Sequence, residues 1–598
     1  MKTTMNLKPM TKISEKKIVI DCFDKILVSY CDGVSSICCN HCIKSRFIST
    51  RKDRTNIKRF YDLDLKCDQM FDNLINSLVS LLKKDKRLMD EYNRRKVFII
   101  DKNTFSISWE YVMPVSDCPI CGYTLIDGLN IARILGQSIL DDVYGDNDDI
   151  SFSKKGHKDI AKRIQKIALS KNFGIITTLL DDLDGVFKTS AATIPIADGR
   201  TEIAMATTSS IKKSRMVALF KAVERHGGLV PVAKKTIIFE SFNVLKSQGR
   251  EVLDVRNLIL NQDSLTNSGM RENDAFHFSY DEAYHWIYGY DLINQKTLLL
   301  PETVAYCAMT LKSARYRREI MSYEVSDASC AGATLTESAY RGILKVVERD
   351  AFLTSWYTNR SICRLVLDNL FMSRRNIFQI EFEKFQNFYS DFKIDIYEIS
   401  CQTRIPVVLM TLTRKRICLD RMNFICAVAS DADIVEAMQK AMHKISGKFV
   451  RLQKRFASEY KQVAKKAEHM YLIDNVDDHS LVWGYYKNLS RINFSNQVSK
   501  SVNVSWWIQK HRKFKCLNEA FKAVLEDLKR NGRDVICVNQ TTSDMQLMNI
   551  YCSKILIPGL LPMTFGAKNA RISRKRINEI EKTEKGFFRT NFFPHPLN

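Results

Sequence analysis

Two apolar periodicities alternate along this chain. The segments around 212–226, 336–352 and 433–456 space their apolar residues as helices do, whereas Gly174–Leu180, Ala191–Ala197 and Ile394–Tyr397 read as short strands. Strands interleaved with helices predict an α/β or α+β fold. The acidic, turn-rich stretch Asp141–Asp149 interrupts the pattern and predicts a loop or linker. It sets a boundary near 150–170, between a region over 1–160 and a domain over 161–598. No repeat of fixed period and no low-complexity tract is found. No run of eighteen apolar residues occurs, and Met1–Lys17 is polar and lysine-rich, so the chain is expected in the cytoplasm and not in a membrane.

A length of 598 residues with 45% hydrophobic content predicts more than one domain and sizeable cores. The 17 cysteines, without a secretion signal, point to reduced thiols and a metal site more than to a disulfide framework. Cys39-Asn40-His41-Cys42 and Cys118-Pro119-Ile120-Cys121-Gly122 are two CxxC pairs, and each can clamp one edge of a tetrahedral zinc. Cys39, Cys42, Cys118 and Cys121 are therefore the candidate ligands of a structural zinc. Cys31, Cys38 and His41 are rival ligands, and ordinary buried thiols are the plain alternative.

The formal charge of +24 crowds into Lys444–Lys466, Lys510–Lys515 and Lys568–Arg589. No nucleic-acid-binding motif accompanies these segments, which disfavours a nucleic-acid partner. A basic surface also steers an acidic peptide or protein by long-range attraction. GxGxxG, GxxxxGK and HExxH are absent, and with 10 scattered histidines no nucleophilic triad can be singled out.

The remaining signals are motifs. Val217-Ala218-Leu219-Phe220-Lys221-Ala222-Val223-Glu224-Arg225 follows the form SxxxExxER. Ser326–Thr334, followed by Glu337, Gly342, Lys345 and Glu348-Arg349-Asp350-Ala351, follows SNGxAxGNTxxEAxxxGxxExxERDA. Ala437-Met438-Gln439-Lys440-Ala441-Met442-His443-Lys444 lies on a third helical segment, and Ile405-Pro406-Val407 and Ile557–Gly566 are later matches. Over roughly 170–598 the chain resembles the YcaO family, whose members help form azoline rings in peptides. The resemblance implies a YcaO domain with ATP-binding positions at Lys221, Glu224, Arg225, Ala333, Glu337, Lys345, Glu348, Arg349, Lys440 and Lys444. The CPxCG run and an arginine after the first CxxC, Arg46, resemble the ThiF-like zinc region that precedes many such domains. About thirty residues precede Cys31, too few for the winged-helix leader binder of the fullest fused versions, so leader recognition is expected from a partner.

In intact family members a Cys, Ser or Thr side chain of a precursor peptide attacks the preceding amide, and ATP phosphorylates the resulting oxygen so that it departs as phosphate. That chemistry needs magnesium on hard oxygen ligands. Lysine, which offers donors only, stands at Lys221, Lys345 and Lys444 where the family has glutamate, and Ala333 replaces an asparagine. The expectation is a degenerate ATP site, poorly equipped for Mg2+ and ATP. The protein is then a catalytically impaired component that binds peptide or acts as a scaffold beside an intact YcaO or leader-binding partner, with homodimerisation left open. The alternatives are an active cyclodehydratase whose lysines take over part of the metal's role, and a basic nucleic-acid binder. The end of the chain, Phe593-Pro594-His595-Pro596-Leu597-Asn598, resembles the family's PxPxP tail with its last proline replaced, or else a frayed polyproline-like terminus.

Overall fold

A computed structural model describes residues 16–22, 24–31, 38–51, 69–85, 89–90, 94–122, 125–145, 154–196, 200–229, 231, 234–258, 278–307, 319–322, 327–373, 376–511, 513–584 and 590–598. The fold is a mixture of helix and sheet, as the interleaved periodicities predict. The first unit is an antiparallel sheet of Lys16–Cys22, Lys25–Cys31, Arg95–Asp101 and Ile107–Val112, with helices Asn40–Ser49 and Gln69–Lys84 between its second and third strands. Its register pairs Ile26 with Ile100 and Val28 with Phe98, so one side-chain face meets the amphipathic helix Gln69–Lys84.

Three further sheets carry the three motif helices. The first helix, Ile211–Leu229, packs on the antiparallel strands Lys188–Pro195 and Thr201–Thr208. The second, Leu335–Thr358, follows strand Ser329–Gly332 and packs on it and on Tyr551–Leu556. The third, Ile434–Ser458, follows Phe424–Ser430 and packs on that strand, on Val407–Arg414 and on Thr201–Thr208. Every residue of Phe424–Ser430 is buried. Successive strand side chains alternate in direction, so this sheet is covered on both faces.

Close approach fixes the third helix. A Cβ on Gly447 would lie 2.0 Å from Oγ1 of Thr207, so only glycine lets this helix reach the 201–208 strand. Helix Leu129–Tyr144 shares its core with the later part of the chain, for Ile139, Leu140 and Val143 belong to the cluster built on Tyr340, Ile343 and Val347.

One expectation needs correction. The strand read over 174–180 begins only at Thr178. Before it the chain makes a tight return, in which the Ser170 N–H donates to Ile176 O, Gly174 N–H to Ser170 O, and Ile176 N–H to Ala168 O. These local bonds take up main-chain groups that a strand would offer to a neighbour. The acidic stretch at 141–149 is helical through Tyr144, and its residues 146–149 lie outside the described residues, as do Met1–Glu15 and Ser326.

Candidate functional site

The four predicted zinc ligands come together from two distant segments. Sγ of Cys39, Cys42, Cys118 and Cys121 all lie within 4.8 Å of one another, with Cys39 3.5 Å from Cys118 and Cys42 3.3 Å from Cys121. A tetrahedral zinc with Zn–S bonds of about 2.3 Å sets ligand sulfurs roughly 3.8 Å apart, so this donor set fits a metal ion. Cys39 is the N-cap of helix Asn40–Ser49 and Cys42 is in its first turn, where the helix dipole favours thiolate. Main-chain N–H groups of Cys39 and Val115 donate to Sγ of Cys121 (3.4 Å) and Cys42 (3.3 Å). Gly122 closes the second knuckle, because a Cβ there would lie 2.3 Å from the Cys118 nitrogen. Of the rival ligands, Cys38 and His41 stand outside this cluster, and the side chain of Cys31 lies outside the described residues. Hydrogen bonding to Cys121 and burial push the Cys39 thiol up to about 12 in the absence of a cation.

On the first two motif helices lysine stands three residues from glutamate, at Lys221 with Glu224 and Lys345 with Glu348, but Lys345 and Lys444 pair across helices. Nζ of Lys345 on the second helix lies 2.9 Å from Oε1 of Glu224 on the first, and donates to Ser329 O at 2.8 Å. Nζ of Lys444 on the third lies 2.8 Å from Oε1 of Glu348 on the second, and donates to Val428 O at 2.7 Å. The other oxygen of Glu348 accepts the Ser430 N–H at 2.9 Å. Arg349 turns to Asp327 at 2.9 Å, Arg225 to Glu202 at 2.8 Å, and Lys440 pairs with Asp431. Lys221 donates to the Met205 carbonyl at 2.9 Å.

Glu337 sits at the start of the second helix. It accepts the Ala333 N–H at 2.7 Å and pairs with Arg341 at 2.6 Å and with His157 at 2.9 Å. Burial alone would raise its carboxyl, but hydrogen bonding to His157 and the charge of Arg341 hold it at about 2. Asp350 of the same motif faces away, into a buried pair with Arg576. Among the described residues, only the four cysteines gather three or more His, Cys, Asp or Glu donors closely enough to share an ion. Glu224, Glu337 and Glu348 form no such group.

Sequence comparison now decides the family. The model described as YcaO cyclodehydratase, ATP- and Mg2+-binding, matches residues 205–561 and so takes in all three motif helices. The chain belongs to the YcaO family. No curated protein matches the chain in sequence. Among solved structures, a heterocyclase in complex with substrate and cofactor is similar in fold over 98% of this chain and 78% of its own, at 16% identity and a TM-score of 0.69. The heterocyclase TruD is similar over 98% of this chain and 74% of its own, at 14% identity and a TM-score of 0.60. No described helix of this YcaO-family chain is long and apolar enough to cross a membrane.

The tail with Pro594 and Pro596 is docked. Proline removes donors from this segment, leaving carbonyls to be satisfied. Trp356 donates to Phe593 O and Trp483 to Pro594 O, both at 2.8 Å, His479 Nδ1 donates to His595 O at 2.7 Å, and Ser480 donates to Pro596 O at 3.1 Å. The last residue reaches the site, for Lys448 donates to the main-chain oxygen of Asn598. Sequence reasoning missed Lys448, although it lies one turn beyond Lys444 on the same helical face. It also missed Asp544 and His226. Asp544 binds Arg46 at 2.9 Å and His226 at 3.3 Å, which joins the cysteine unit to the first motif helix. No local signal marks that pairing.

Proposed function

We propose that this YcaO-family chain is a peptide-binding or scaffolding component of a complex that forms thiazolines or oxazolines in a ribosomal peptide, with an ATP site that lysine has closed to magnesium. The crosswise pairing of Lys345 with Glu224 and of Lys444 with Glu348 carries this reading. Mg2+ demands near-octahedral oxygen ligands and dehydrates reluctantly. Here each carboxylate would have to exchange a bound ammonium for the ion. A divalent ion about 4 Å from one ammonium is repelled by roughly 8 kcal/mol at an effective dielectric near 20. The residues present do not fit the metal.

In this reading residues 1–160 form a ThiF-like zinc region ahead of a YcaO domain over 161–598, and Cys39, Cys42, Cys118 and Cys121 hold a structural zinc. The partners are a precursor peptide, drawn in part by the +24 charge, and an intact YcaO or leader-binding protein in the cytoplasm. One observation favours an active cyclodehydratase instead, namely that Glu224, Glu337 and Glu348 are retained in a family described as ATP- and Mg2+-binding. Incubation of the chain with a precursor peptide encoded beside it, ATP and Mg2+, followed by mass spectrometry, separates the two. We expect no loss of water from the peptide with this chain alone, and loss of water once an intact YcaO partner is added. Water loss by the chain alone contradicts the scaffold reading.

A further inference from the structure

We infer that the chain pairs with a second copy of itself about a two-fold axis, the hairpin tip at 415–421 of each copy seating on the turn at 183–187 of the other. This face takes no part in the contacts between the three motif helices, so its failure as an interface leaves the scaffold reading intact.

The hairpin joins strands Val407–Arg414 and Phe424–Ser430, and its shape is fixed from below. Fully buried Asn423 accepts the Cys418 N–H through Oδ1 and donates through Nδ2 to the carbonyls of Cys418 and Arg421, all at 2.8 Å. Lys415 N–H donates to Asp391 O at 2.8 Å, and Met422 N–H to Oε1 of Gln453 on the third motif helix at 3.1 Å. A tip so firmly fastened nevertheless turns Ile417 and Leu419 outward, each more than half exposed. Exposed Lys415, Arg416 and Arg421 surround them. Arg414 at the base reaches Asp391 at 3.5 Å, whereas among the described residues these three cations have no carboxylate partner, and Asp420 is the one acid of the tip. Aliphatic side chains inside a cationic rim, on a backbone with little freedom left to lose, make a docking element.

The matching element lies beside it. The turn joins strands Thr178–Asp182 and Lys188–Pro195 and leans on the same helix, with the ring of Phe187 4.5 Å from that of His443 and a Cβ on Gly185 in contact with Ser446 Oγ at 3.7 Å. With the strand before it, this turn presents Leu180 and Leu183, also more than half exposed. Asp181 is held by Arg215, and Lys188 closes the turn by donating to Leu183 O at 3.3 Å. Asp182 pairs with no cation among the described residues, and Asp184 meets only exposed Lys454, loosely, at 3.8 Å.

A basic apolar element and an acidic apolar element, side by side on one helix, are self-complementary. Rotation about an axis between them brings each hairpin to the other copy's turn, so the contact is made twice and closes at two copies. Opposite charges also steer the encounter and fix its register. An acidic peptide would satisfy the hairpin alone and leave Leu180 and Leu183 in water, which favours a second copy.

The test is sedimentation velocity of the full zinc-loaded chain at tens of micromolar protein. A dimer is expected at low salt, with its dissociation constant at least tenfold higher at about 0.5 M salt, where exposed charges are screened within a few ångströms. Ile417→Asp with Leu419→Asp should be monomeric. So should Lys415→Glu with Arg416→Glu and, separately, Asp182→Lys with Asp184→Lys, each with a thermal midpoint close to that of the wild type because these side chains are exposed. Mixed in equal amounts, the two charge-reversed chains should dimerise again, since each reversed element then meets its opposite on the other copy. A wild type that stays monomeric at low salt overturns the pairing. A dimer that neither reversal breaks, or reversed chains that stay apart when mixed, overturns it as well.

Discussion

Arg46 and Asp544, 498 residues apart, are joined by a buried ion pair of 2.9 Å. Arg46 lies one turn beyond Cys42, and Asp544 also holds His226, the neighbour of Arg225. The cysteine unit is thereby tied to the helix that carries Lys221 and Glu224. Burial would raise the Asp544 carboxyl, but His226, Arg46 and a hydrogen bond from Thr542 hold it well below the usual carboxylate range.

Asp544→Asn leaves Arg46 buried without a counter-charge. The expected cost is about 3–5 kcal/mol, read as a lower midpoint in urea denaturation. Adding Arg46→Met should recover much of it, because the stranded charge is then gone. If the single variant costs less than about 1 kcal/mol, the pair does not hold the two units together.

The cysteine cluster predicts stoichiometric zinc by elemental analysis of purified protein, and its loss in Cys42→Ser. Because the ligands come from segments flanking the first sheet, removal of the metal should expose that sheet's core. Proteolysis within the first 122 residues of the chain should then become faster while the YcaO-matched region stays resistant. Equal resistance of the metal-free protein would deny the cluster a structural role.

How much of this was legible in the sequence depends on the distance over which each feature is decided. The three motif helices follow from local apolar spacing, and their observed ends lie within three residues of the predicted ones except that the second runs on to Thr358. Two CxxC pairs announce the four ligands because each knuckle is local. Lys345 and Glu224 are another matter. Their own helices offer each a partner three residues away, and only the packing of both helices on strands Ser329–Gly332 and Tyr551–Leu556 decides that they meet across 121 residues. Arg46 with Asp544 is the extreme case.

Gly447→Ala tests how the third motif helix is seated on the 201–208 strand. The added methyl would lie 2.0 Å from Thr207 Oγ1, so the third helix must shift, at a cost of about 1–3 kcal/mol. Thr207→Ala removes the nearest atom and should make the pair strongly non-additive in denaturation. Additive losses would mean that the contact is not the constraint.

The tail should loosen in acid. His479 is neutral in the fold, with Nδ1 donating to His595 O and Nε2 accepting the Gly566 N–H at 2.9 Å, and burial holds it down to about 4. Since the folded value lies below the ordinary one near 6.5, the neutral form's contribution is complete above about pH 6.5 and is lost as pH falls toward 4, amounting to roughly 3 kcal/mol. Buried His595 is shifted the same way and adds to the effect. Hydrogen exchange at Phe593 and Leu597 should accelerate over that window, and His479→Gln should flatten the dependence. A tail equally protected at pH 4.5 and 7.5 contradicts this.

The central claim is that lysine has taken the carboxylates magnesium would need. Electron paramagnetic resonance of Mn2+, as a paramagnetic stand-in for Mg2+, measures it directly when the zinc-loaded wild type and the Lys345→Glu, Lys444→Glu variant are titrated in the presence of ATP. The account predicts no protein-bound Mn2+ signal beyond that of Mn2+–ATP in the wild type, and a new saturable one in the variant. A saturable signal already present in the wild type, unchanged by the substitutions, would contradict it.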